Sequence, residues 1–114
     1  MPRQATPLSK APPYPVEHAL KRWGVNLRTA QLRRNLTIEE VAGKIGTGVR
    51  AIADAERGRP GTAVAIYLAL LWAYDLLSPL DNIADPALDA EGLARLTQRE
   101  RARAPNKSDL DNDF

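Results

Sequence analysis

The side chains best placed to do chemistry in this sequence are its arginines and lysines, and the chemistry they offer is the binding of anions. Up to Pro60 there are eleven of them against five acids; from Gly61 onward nine acids face five bases. A positive half of this kind suits a phosphate backbone, whereas the acidic half calls for a different partner. The chain has no cysteine and one histidine, which excludes a thiolate nucleophile and a metal cluster built on cysteine or histidine. His18, between Glu17 and Ala19 near a helix start, is assigned no functional role. Glu39 and Glu40 are adjacent carboxylates, but neighbours on a helix point about 100° apart and cannot flank one substrate. There is also no glycine-rich phosphate loop and no nucleophile elbow. The chain is therefore not expected to be an enzyme, and no cofactor or metal is expected.

The element that must position the basic groups runs from Leu36 to Gly58. Thr37 can cap a first helix, with Glu40 reaching back to the Thr37 amide as a capping box. Ile38, Val41, Ala42 and Ile45 then recur at helical spacing. Gly43 and Gly46 bracket Lys44-Ile45, where a sharp turn is expected. The next helix buries Val49 or Ile52, and Ala55, and stops at Gly58. Two short helices joined so tightly form either an ordinary helical hairpin in a bundle or a helix-turn-helix that docks on DNA. Agreement among caps, glycines and apolar positions favours the second.

Around this unit the chain divides as follows. Residues 1–13, with Pro2, Pro7, Pro12 and Pro13, are expected to form a disordered arm. A helix starting near Pro15 buries Val16, Leu20, Trp23, Leu27 and Ala30, ends at Asn35, and exposes Lys21, Arg22, Arg28, Arg33 and Arg34. Thr62 caps a helix from Ala63 to about Leu76 that is apolar nearly all round, so that one side needs a second copy of the chain to cover it. Leu80 and Ile83 turn inward in a short helical segment, which closes a domain of residues 14–84. Asp85-Pro86 opens a helical extension, residues 85–104, with Leu88, Leu93 and Leu96 as a narrow seam. Residues 105–114 form an acidic tail without packed structure. The most apolar run is too short to span a bilayer and no secretion signal opens the chain, so a cytoplasmic protein off the membrane is expected.

Leu27-Arg28, then Leu36-Thr-x-Glu-Glu-Val-Ala, a turn glycine, an apolar centre and Glu56-x-Gly58 resemble the Xre/Cro-like helix-turn-helix family over roughly residues 25–77. The resemblance implies an all-α, five-helix DNA-binding domain, to which the C-terminal helical extension and flexible termini read above are added. It also implies an internal ion pair between Arg28 and Glu56 that orients the recognition helix. Leu70-Leu-Trp-Ala-Tyr-Asp-Leu-Leu and Asp85-Pro-Ala-Leu-Asp-Ala-Glu-Gly-Leu-Ala look like HipB-type antitoxins, partners of HipA-type serine/threonine kinase toxins. That resemblance implies a homodimeric autoregulator that binds its own promoter operator and restrains the kinase.

The DNA-binding residues expected on this basis are Arg33, Lys44, Thr47, Val49, Arg50, Ala51, Asp54 and Arg57. Arg50 can grip a guanine bidentately, and Val49 or Ala51 can touch a thymine methyl. Asp54 can accept from cytosine or repel phosphate, while Thr47, Lys44 and Arg57 suit backbone contacts, as does Arg33. Ile38 stands where the family often has glutamine, so base reading is expected to be lean. Leu93, Leu96, Leu110 and Phe114 are the expected partner-binding residues, the alternating aspartates of the tail steering Leu110 and Phe114 into a pocket. The rival functions are a solitary repressor without a toxin, and a protein-interaction module with weak DNA binding.

Overall fold

A computed structural model describes residues 7–103. They are all-helical: five α-helices and no strand. The helices are α1 (Tyr14–Arg33), α2 (Ile38–Ile45), α3 (Val49–Glu56), α4 (Val64–Ala73) and α5 (Ala90–Ala102), with 3-10 turns at Ser78–Asn82 and Pro86–Leu88 before α5. The described residues divide into two compact units, one ending at Ser78 and one beginning at Pro79.

In the first unit, the core is Leu27, Ala30, Val41, Ala42, Ile52, Ala55, Tyr67, Leu70 and Tyr74, drawn from all four helices. The expected stripe on α1 is half right. Leu27 and Ala30 are buried and Leu20 packs on the core, but Val16 and Trp23 are exposed. The buried line instead passes through Gly24, Leu27, Ala30 and Gln31. A Cβ at Gly24 would lie 2.8 Å from the Glu56 carbonyl carbon and 2.9 Å from the Ala55 oxygen. The missing side chain is what lets α1 touch the backbone of α3, and that contact rotates α1 so that Trp23 sits at its edge. Trp23 still packs edge-on against Tyr67, with ring centroids 5.6 Å apart.

As expected, α1 begins next to Pro15, at Tyr14, with Pro13 as its N-cap. Ahead of it, the Lys10 and Ala11 amides donate to the Pro7 carbonyl, so residues 7–11 form a turn. Asn35, in the left-handed region at φ 56°, reverses the chain after α1. Buried Gln31 secures that reversal by donating from Nε2 to the Leu36 carbonyl at 3.0 Å.

For α4, the expectation of burial on two sides is met on one. Tyr67, Leu70 and Tyr74 face the core, whereas Val64, Leu68 and Trp72, four residues apart, remain exposed. Thr62 is not the cap: Ala63 occupies that position without a side-chain cap among the described residues, and Thr62 Oγ1 is buried.

In the second unit, Leu80 is half-buried, but Ile83 is exposed rather than inward. The expected extension is broken in two. Asp85 accepts from the Ala87 amide at 2.9 Å and starts only a 3-10 turn; Asp89 then caps α5 by accepting from the Gly92 amide at 3.0 Å. Two aspartates four residues apart each bind the amides just ahead, so the chain makes two short starts instead of one.

Candidate nucleic-acid interface

The two-helix unit is held by its own sequence. The Glu40 amide donates to Thr37 Oγ1 at 3.0 Å, and the Thr37 amide donates to Glu40 Oε1 at 2.8 Å, completing the capping box. Gly43 is not part of the turn. It lies inside α2 with open space where its Cβ would be, and the helix continues to Ile45. The turn is Gly46-Thr47-Gly48: Gly46 takes φ 78°, which L side chains adopt only with strain, and Gly48 is the N-cap of α3. No side chain caps α3 and no acid stands in its first turn, so the partial positive charge of its leading amides is unopposed.

Past Glu56 the recognition-helix candidate ends in a Schellman arrangement. The Arg59 amide donates to the Asp54 carbonyl, and the Gly58 amide to the Ala55 carbonyl, both at 3.0 Å. Gly58 has φ 68°, and a Cβ there would lie 2.7 Å from the Leu20 carbonyl carbon and from the Lys21 Cα. Thus α3 is pressed against α1 at two glycines, Gly24 and Gly58. Ile52 and Ala55, fully buried, anchor its inner face, and Val49 stays outside.

The outer face of α3 carries the exposed pair Val49 and Arg50, with Ala51 half-buried beside them. Arg50 has no carboxylate within ion-pair distance among the described residues. Thr47 is half-buried in the turn. Lys44 is exposed at the end of α2, with its Nζ 5.8 Å above the Trp72 ring. Arg33 is exposed at the end of α1. Asp54 is already engaged: Arg59 Nε lies 3.3 Å and Arg57 Nη1 3.7 Å from its Oδ1. Sequence reading missed Arg59, whose role depends on the chain doubling back after Gly58.

Behind this face lies a polar cluster. Arg28 Nη1 reaches Glu56 Oε1 at 3.4 Å, and the Glu56 side chain is only 6% exposed. Burial raises the Glu56 carboxyl above its ordinary value, and Arg28 opposes the rise. Tyr74 is pushed up to about 12, first by burial and then by the negative charge of Glu56. Glu56 Oε2 and the Tyr74 hydroxyl have no hydrogen-bond partner among the described residues. Arg34 donates to the Ala30 carbonyl at 3.0 Å and lies 5.6 Å over the Tyr74 ring.

In the second unit, Leu93 and Leu96 are both exposed on α5, and Arg95 pairs with Glu91 at 2.6 Å. Leu110 and Phe114 lie outside the described residues. Among the described residues no group of acids and histidine could hold a metal, and no helix is long and apolar enough to cross a membrane. No protein-family model, curated protein or solved structure matches the chain.

Proposed function

We propose that the chain is a sequence-specific DNA-binding regulator that inserts α3 into the major groove and acts as a dimer. The observation that carries this is the presentation of α3. Its inner face is locked by Ile52, Ala55 and the glycine contacts, and its outer face offers Arg50, which has no carboxylate within ion-pair distance among the described residues. A rigid helix with one bidentate donor and an acid-free N-terminal turn is suited to a groove edged by phosphates. The excess of basic residues before Gly61 adds long-range attraction. The Xre/Cro-like resemblance of residues 25–77 points the same way.

The direct test is capture of DNA fragments from the source genome by the purified full chain, followed by competition with random duplex. Enrichment of one locus supports the reading; uniform recovery at all salt concentrations overturns it.

The second reading is the antitoxin role, in which the chain also grips a HipA-type kinase. It is favoured by the adjacent leucines Leu93 and Leu96, exposed on a helix of the second unit where they face a partner or water. Tagged protein recovered from its own locus should carry a kinase-like chain in near-stoichiometric amount. Recovery of the chain by itself would leave a solitary repressor.

A further inference from the structure

Asp54 is the one acid in the middle of the outward-leaning surface of α3, and two guanidiniums converge on the same oxygen of it. Arg57 follows the last residue of the helix. Arg59 is returned toward the helix by the left-handed Gly58, and its backbone is fixed at both ends, its amide donating to the Asp54 carbonyl and its carbonyl receiving the Tyr67 hydroxyl at a long 3.5 Å. Both arginine side chains are more than half exposed, at 63% and 60%, whereas Asp54 is 29% exposed. The carboxylate thus sits beneath two solvent-facing cations and reduces their joint charge from two to one.

Resting on the DNA-binding reading above, we propose that Asp54 is a positioning residue that restrains Arg57 and Arg59 and so sets the sequence-independent part of DNA affinity. Its reach is toward those arginines, so it does not read a base. Ion pairs this exposed are weak and reversible. A phosphate can draw the arginines away, but each such interaction must replace an existing one and approach a carboxylate. Phosphates are the same on every sequence, so the restraint acts on all DNA alike. It leaves discrimination to Arg50.

The test uses the full chain and a random-sequence duplex, with affinity followed from about 50 to 200 mM salt. Asp54→Asn should tighten binding and steepen the salt dependence by about 0.9 for each additional phosphate neutralised, which corresponds to roughly threefold more loss across that range. Asp54→Glu, which keeps the charge, should retain the wild-type slope. Adding Arg57→Gln and Arg59→Gln to Asp54→Asn should abolish the tightening, while the same two changes in wild type should alter the slope less. A captured specific duplex should tighten by the same factor as the random one. An unchanged slope in Asp54→Asn, or an effect confined to the specific duplex, overturns the proposal; circular dichroism checks that each variant is folded. If Asp54→Asn does not fold, the paired arginine changes in wild type decide, since a large loss of slope there would show the arginines to be unrestrained. A wild-type chain that binds neither duplex would overturn the DNA reading itself, and this inference with it.

Discussion

Arg28 and Glu56 join the C-terminal half of α1 to the last residue of α3 across 3.4 Å, with the carboxylate buried and the guanidinium 61% exposed. The cation keeps its water while the anion loses much of its own, so the pair is asymmetric. Desolvation outweighs the attraction, and the Glu56 carboxyl is held above its ordinary 4.5.

That asymmetry fixes the sign of a pH effect. Above pH 4.5 the folded chain holds this proton more tightly than the unfolded chain, so its contribution to stability is full below 4.5 and is lost as pH rises through the raised value. Urea unfolding from about pH 4 to 7 should show Glu56→Gln gaining on wild type with rising pH. Arg28→Ala, which removes the opposing charge, should fall further behind over the same range. Parallel pH profiles for all three proteins would contradict this account.

Two glycines of similar appearance in the sequence should respond oppositely to alanine. Gly24→Ala drives a Cβ into the Glu56 carbonyl group and should cost about 1–3 kcal/mol. Gly43→Ala fills open space inside α2 and should stabilise by about 0.5–1 kcal/mol. Denaturant midpoints of the two variants on opposite sides of wild type would bear this out.

Arg50→Ala should cost roughly 1–3 kcal/mol on a captured specific duplex and little on random DNA. Competition binding at fixed salt separates the two losses. An equal loss on both would make Arg50 a phosphate contact.

The open face of α4 bears on assembly. No charged residue stands between Val64 and Ala73, and Val64 and Trp72 are 65% and 57% exposed. In the proposed dimer a second copy of the chain would bring an α4 that likewise carries no charge of its own, with Lys44 over the Trp72 ring as the nearest cation described. Leu68→Asp should therefore shift sedimentation from dimer to monomer at micromolar concentration while helical content is kept. A protein monomeric before the change would refute the contact.

Much of the fold could be read where the signal is a local hydrogen bond. Thr37 with Glu40, and Gly58 after α3, were legible because caps and left-handed stops depend on a few adjacent residues. The register of α1 was not, since apolar counting selects Trp23 and passes over Gly24, whose contribution is the absence of a side chain. For the same reason Gly43 resembled a turn. In the candidate site, Arg50 was legible as an outward donor, but the engagement of Asp54 was hidden because it depends on where Arg59 returns. Buried Gln31 was also missed, as a polar residue is stable in a core only through a partner, here the Leu36 carbonyl.

The glycine contacts that seat α3 on α1 separate two properties of the helix. Its posture is set by main chain against main chain at Gly24 and Gly58, and by Ile52 and Ala55 beneath. Its outward residues, Val49 and Arg50, take no part in that seating. On the proposed DNA-binding reading, the text that the helix presents could be rewritten without moving the hand that holds it, and one scaffold would be retargeted by changes at the surface of a single short helix.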